Sequence, residues 1–274
     1  MNDTALPAAS ATAAATPGFD PATRAVPRWG GLNRTLVGIE LRRVLRNRRT
    51  VIFAFVFPSA LFFAFAGSQD YANESVGVGN VSAYIMVSMA LYGAALTAAS
   101  GGTAVALERS LGWSRQLRLT PLSPVSYILV KTLLAVLLGA VAVTMVNVAG
   151  LVQGKPDMPA ATWVACALLT VVCSLVFAAL GVFVGYLVPG ENAMQILGPG
   201  LALLSFLGNV FIPITKGTTM WWVASTTPMF GVAEISRWPL TRELDWYSVL
   251  NAVAWLAVFV GGAAWRMSRD TARV

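Results

Sequence analysis

Histidine is absent from this chain of 274 residues, and only two cysteines occur. The usual zinc and haem ligand sets are therefore missing, as is most catalysis that relies on an imidazole. Cys166 and Cys173 lie seven residues apart in one apolar segment. On a helix they would stand about 10 Å apart along the axis, too far to bridge, so they read as small core residues. Charge is scarce too: 11% of residues are charged and 57% hydrophobic, where soluble domains carry about 25% and roughly 45–50%. A soluble fold could not cover that much apolar surface. The net charge is +7, but the basic residues cluster beside apolar runs, which points to a membrane and not to nucleic acid. A phosphate-binding Gly-rich loop is lacking as well. The sole Gly-Lys dipeptide, Gly154-Lys155, runs into Pro156, and Ala149 stands where the loop needs its first glycine.

What is present is a series of apolar segments at about 51–67, 83–107, 125–152, 160–188, 193–214 and 247–265. Each reaches or approaches the ~20 residues that cross a bilayer core. The fold class that follows is an all-α polytopic membrane protein with six transmembrane helices. Pro58 should kink the first span. Residues 1–31, rich in Ala, Pro and Thr, read as a disordered cytoplasmic tail, and 32–274 as the membrane domain. With no signal-peptide core in that tail, the first span would itself act as the targeting signal.

Orientation follows from Lys and Arg. Placing both termini in the cytoplasm puts fifteen of 19 basic residues inside, and divides the acidic residues evenly. A seventh candidate, 217–236, contains Pro228, Glu234 and four threonines. Making it a span would turn the basic tail outward, so 215–240 is expected to be an outer re-entrant segment with Trp221 and Trp222 at the headgroups. Ahead of the first span, 32–50 places Leu36, Val37, Leu41, Val44 and Leu45 on one face and Arg42, Arg43, Arg46, Arg48 and Arg49 on the rest or at its end. Such a basic amphipathic helix lies on the inner leaflet and also serves as a topology anchor.

None of the six spans carries an ionisable residue near its centre; Glu108, Lys131 and Glu191 sit at or near span ends. An ion-coupled carrier needs a buried carboxylate relay and an intramembrane protease needs a catalytic set. Neither is visible, so energy for uphill transport would come from another chain. "GVFVG", Gly181 to Gly185, fits either intrachain helix packing or a dimer contact.

The longest polar interruption is "ERSLGWSRQLRLTPLSP", Glu108 to Pro124. It breaks at Gly112, offers a helix-sized stretch 113–119 and stops at Thr120-Pro121, because proline disfavours helix at the preceding residue. Arg115, Gln116 and Arg118 would project from that stretch, with Trp113 and Leu117 anchoring it. The pattern suits docking onto another protein better than the alternative, a basic inner loop whose arginines face lipid.

Glu108-Arg109, Gly112, Leu117, Thr120-Pro121, Tyr127 and Lys131 resemble the "ER..G....L..TP.....Y...K" signature of the permease subunits of type-2 ATP-binding-cassette exporters. "LGNVFIP" at 207–213 and the aromatic segment after it are similar to that family's plan as well. The resemblance implies a second permease, usually a copy of the same chain, and two cytosolic ATPase subunits. This chain would bind no cofactor, since ATP and Mg sit on the ATPase. Residues 108–121 would form the coupling helix, with Glu108, Arg109, Gly112, Trp113, Arg115, Gln116, Arg118, Thr120 and Pro121 in the ATPase contact. Trp113 departs from the small or hydroxyl residue common in relatives. Residues 32–50 would be the connecting helix, and "PGEN", 189–192, a smaller inner contact. Spans two and five would line the dimer interface and substrate path. Asn209, Phe211, Pro213, Trp221, Trp222 and Pro228 would belong to the outer gate and that path. The expected setting is a bacterial cell membrane. The expected cargo is a lipophilic or amphipathic compound, as in the antibiotic-resistance branch; glycan export and a non-transporting scaffold are the alternatives.

Overall fold

A computed structural model describes residues 57–67, 73–110, 124–188 and 192–270, together with Gly38, Arg42, Arg46, Ile52 and Val56. In chain order the elements are α1 (Phe57–Gly67), β1 (Ser75–Val76), β2 (Gly79–Asn80), α2 (Val81–Ser110), α3 (Pro124–Gln153), α4 (Ala160–Leu187), α5 (Asn192–Leu207), α6 (Thr219–Ser225), α7 (Pro228–Thr241) and α8 (Trp246–Asp270). The strands form a small antiparallel hairpin, Ser75 opposite Asn80 and Val76 opposite Gly79. Everything else regular among the described residues is helix.

Four stretches are long and apolar enough to cross a membrane: Val81–Ala104, Val130–Gln153, Ala160–Leu187 and Trp246–Met267. The first and fifth expected spans appear as shorter apolar helices, Phe57–Ala66 and Gln195–Leu207. Pro58 is the second residue of α1. Just ahead, Ile52 and Val56 take the wider π-helical geometry. The fifth segment, expected to run to 214, leaves the helix after Leu207. There Asn209 adopts a left-handed backbone (φ 63°), a conformation that interrupts an α-helix and that Asn tolerates better than most residues.

α2 is the packing centre, touching α4 and α3 along most of their lengths and α1, α5 and α7 at its flanks. No residue from Val81 to Ala104 is exposed. Span two is thus covered by the chain's own helices, whereas α5 exposes Ile196, Pro199, Leu203 and Phe206. Small residues make this possible, since lipid supplies no hydrophobic drive between helices and close van der Waals approach must do the work. A Cβ on Gly181 would lie 2.0 Å from the Ala99 carbonyl oxygen, and one on Gly102 only 2.6 Å from that of Ala178. The two backbones therefore touch. Gly181 of "GVFVG" is used inside the chain, between α4 and α2. Cys166 and Cys173 are both buried and unbridged.

At the end of α2 where the helix begins, Asn80 ties three segments together. Its side-chain oxygen accepts from the N–H of Ala83 (2.9 Å), capping α2, and from that of Asp157 (3.0 Å). Its amide donates to the Lys155 carbonyl (2.8 Å), while Val78 N–H donates to Leu240 at the end of α7 (2.9 Å).

Candidate functional site

Two sites stand at opposite ends of α2. At the loop end, Lys131 of α3 donates to the Glu108 carboxylate at 2.6 Å, with 5% of each side chain exposed. Each charge has given up most of its hydration, a cost that a close and direct pairing offsets. Its effect is to pin together the two helices on either side of the expected coupling segment. Within that segment, Gly112, Trp113, Arg115, Gln116, Arg118, Thr120 and Pro121 lie outside the described residues, as does the side chain of Arg109. Of the surface-helix arginines, Arg43, Arg48 and Arg49 also lie outside them. Arg42 and Arg46 are exposed, and Arg46 N–H donates to the Arg42 carbonyl (3.0 Å), one turn of helix.

At the remote end, the centre is Arg237, only 1% exposed. Pro228 starts α7 at a position that needs no N–H, and the helix then buries one face against α2, α4 and α8. On that face all three nitrogens of the Arg237 guanidinium donate hydrogen bonds. Its Nε donates to the Ala233 carbonyl (3.1 Å). Nη1 donates to the Tyr84 hydroxyl, to Ser88 Oγ (3.3 Å) and to the Asn209 carbonyl (2.7 Å). Nη2 donates to Glu234 Oε1 (2.9 Å). The guanidinium carbon also sits 4.4 Å from the centre of the Tyr84 ring. A planar fork of donors is suited to joining acceptors on three elements, as a lysine is not. Asn209 completes the cluster: its amide donates to Glu234 (3.0 Å) and its side-chain oxygen accepts from Ile214 N–H (2.8 Å).

The expected gate residues are divided among different environments. Asn209 belongs to the arginine cluster. Phe211 turns into the membrane domain, edge-on to Tyr92 and Phe206. Pro213 is exposed in the connection after α5, and Pro228 is the buried start of α7. Trp221 is buried and packs edge-on to Phe230 and Tyr247, while its neighbour Trp222 is 63% exposed. Thr218 caps α6 by accepting from Trp221 N–H (3.2 Å), which fixes this aromatic pair.

A polar pocket of about 200 Å³ opens beside the cluster, walled by Tyr84, Trp221, Glu234, Arg237, Glu243 and Asp245 among others. At its rim Lys216 donates to Asp245 (2.6 Å), which also accepts from the Tyr247 hydroxyl (2.8 Å). The Lys216 hydrogen bond, then that of Tyr247, holds the Asp245 carboxyl below its ordinary range, and the same contact raises Lys216. Among the described residues no group of His, Cys, Asp and Glu is arranged to hold a metal.

Sequence reasoning missed Tyr84, Ser88, Glu234 and Arg237. A signal was available: an acid and a base at i and i+3 within an apolar segment are neighbours on one helix face. So are Tyr84 and Ser88, four apart, at the start of a span.

The sequence pattern described as "ABC-2 type transporter" matches residues 32–240. A protein of Bacillus subtilis (strain 168), named "Putative transport permease YvfS", is 24% identical over 226 residues, covering 81% of this chain and 91% of its own length. No solved structure matches.

Proposed function

The chain belongs to the ABC-2 type transporter family, and we propose that it is the six-span permease of an exporter that moves a lipophilic or amphipathic compound out of the cell. Both termini would face the cytoplasm, two copies would form the pathway, and two ATPase subunits would drive it. The chain would supply no catalytic side chain and bind no nucleotide itself. Closure of the ATPases on ATP would push on 108–121, and the two permease halves would rock between inward and outward access.

The observation that carries this reading is the buried Glu108–Lys131 pair. A loop that only joined two spans would have no use for a desolvated ion pair across its base. A loop that receives force needs its two supporting helices to move together. Glu108 and Lys131 are also the first and last residues of the signature found in the sequence. In the expected docked state Arg115 and Arg118 grip acidic or carbonyl groups of the ATPase.

The test is to reconstitute the permease with its ATPase and measure hydrolysis with and without transported compound. Arg115→Glu together with Arg118→Glu should preserve membrane insertion and abolish the substrate-stimulated component. Unchanged stimulation refutes the assignment. Capture of a cytosolic partner with no nucleotide chemistry would favour the scaffold instead. The exposed rings of Trp222, Trp238 and Trp246 favour a glycan cargo as the second reading, because sugar rings stack on such faces. Stimulation by a lipid-linked glycan, and by no lipophilic compound, would select it.

A further inference from the structure

Trp221 and Tyr247 line two adjoining spaces of opposite character. On one side lies the polar pocket of about 200 Å³. On the other, between α6 and the start of α8, is an open groove of about 510 Å³ lined by Trp221, Trp222, Trp246, Tyr247, Leu250 and Ala254. Ser225 and Asn251 also line it, and the Asn251 amide donates to the Ser225 carbonyl (2.8 Å).

The groove has a direction. Trp246, Leu250 and Ala254 recur every four residues, so they share one face of α8 and run from its first turn about 12 Å into the apolar span. The polar pocket sits above that start, at the level of Thr241, Glu243 and Asp245. A molecule occupying both spaces would have its apolar body along α8 and its head at the charged end.

Charge selects the head. Five charged side chains line the pocket: Lys216, Arg237, Glu234, Glu243 and Asp245. Lys216 is matched by Asp245 at 2.6 Å and Arg237 by Glu234 at 2.9 Å. The Glu243 carboxylate is left as the excess charge; its chain neighbour Arg242 does not line the pocket. The rings of Tyr84, Trp221 and Tyr247 complete the wall. Three carboxylates against two cations, beside the rings of Trp221 and Tyr247, make a setting that attracts an ammonium group, by ion pairing and by the negative faces of those rings, the Tyr84 ring being already engaged by the Arg237 guanidinium. It repels an anionic head.

We propose that this composite site binds an amphiphile with an ammonium head, its apolar body in the groove along α8 and its head against Glu243 and the aromatic rings. The proposal rests on the reading of the chain as a permease for amphipathic compounds and adds the sign of the head and the place where it binds. A transported compound and a bilayer lipid such as phosphatidylethanolamine both offer this chemistry.

The test needs no ATPase, so it can succeed or fail independently of the coupling experiment. The full-length chain, purified in maltoside micelles, is photolabelled with a diazirine analogue of dodecyltrimethylammonium and the adducts are mapped by mass spectrometry. Labelling should concentrate on 219–225 and 246–254 and be displaced by dodecyltrimethylammonium, not by dodecyl sulfate. Glu243→Gln, at an exposed position, should weaken displacement by the ammonium compound about fivefold or more, while Trp222→Ala should weaken labelling by every amphiphile. Trp265→Phe, at the far end of α8, should change nothing. Competition by added phosphatidylethanolamine identifies a lipid occupant, and its failure to compete identifies a soluble amphiphile. Labelling spread evenly over the exposed apolar faces, equal displacement by dodecyl sulfate, or an unaltered Glu243→Gln variant with native thermal stability would overturn the proposal.

Discussion

Replacing Lys131 with Met removes one ammonium and keeps most of an apolar stem. It leaves the Glu108 carboxylate, 4% exposed, without the partner 2.6 Å away. Losing one member of a buried ion pair costs about 3–5 kcal/mol, because the remaining charge stays desolvated. At about 2–4 °C per kcal/mol, the thermal midpoint should fall by roughly 6 °C or more. Glu108→Leu should cost a similar amount. Removing both charges takes away the attraction and both desolvation penalties together, so the double variant should return to within about 1–2 kcal/mol of the native chain. The coupling energy in this cycle should therefore reach about 4 kcal/mol or more. The assay is the fraction of monodisperse protein that survives heating in maltoside, followed by fluorescence during size-exclusion chromatography. If the two single losses add in the double variant, the charges do not act as a pair. A second readout separates stability from coupling: the double variant, though folded, should show weaker substrate-stimulated ATP hydrolysis in the assembled complex, since apolar side chains pin the loop less rigidly.

Arg237→Met removes every hydrogen bond that joins α7 to Tyr84, Ser88 and the Asn209 carbonyl. It should cost about 3–5 kcal/mol, and Arg237→Lys should recover less than half of that, as read from the same thermal midpoint. At the pocket rim, the Asp245 carboxyl is held below its ordinary 3.8, so its contribution to stability is present above that value and is lost as pH falls through the depressed one. Lys216 is raised above 10.5, so its contribution is present below that value and is lost as pH rises through the raised one. The offset in midpoint between the native chain and Asp245→Asn should accordingly be flat from about pH 5 to 9 and close in acid below about pH 4. An offset that changes in the middle of that window would point to a different group.

The helical class and the approximate places of the apolar segments were legible because a bilayer demands long unbroken apolar runs, and that signal needs no tertiary information. The end of the fifth segment was not. "LGNVFIP" is apolar enough to extend a span, and its interruption depends on Asn209 taking a left-handed backbone whose carbonyl then serves Arg237. A local bond from Ile214 N–H to the Asn209 side chain accompanies it, but the acceptor role of the carbonyl depends on Arg237, which comes 28 residues later. The same distance concealed the arginine cluster. On the positive-inside count Arg237 is one of the four basic residues left outside, because a buried guanidinium reveals itself only when its acceptors on α2 and after α5 are assembled. Glu108 and Lys131 were legible as signature residues, but not as partners, since 23 residues separate them. Gly181 carried an ambiguous pattern that only the position of α4 against Ala99 resolves.

These placements bear on how α2 can move. Tyr84 and Glu108 lie about 36 Å apart along a single helix, and at each end a buried cation from another helix holds it: Arg237 from α7 and Lys131 from α3. Gly101 and Gly102, about two turns from the Glu108 end, would ordinarily soften such a rod there. Here both are braced, Gly101 against Ala135 of α3 and Gly102 against the backbone of α4 at Ala178 to Val182. Bending at that point would drive main chain into main chain, while a rigid displacement of α2, α3 and α4 together leaves their tight contacts intact. Close-packed interiors resist continuous deformation and pass displacement on. On the transport reading, a push at the Glu108 end is therefore delivered to the remote end as movement of the whole three-helix unit. The Arg237 cluster is then where it must act, because there α2 grips α7 and the chain after α5 through hydrogen bonds that can be remade.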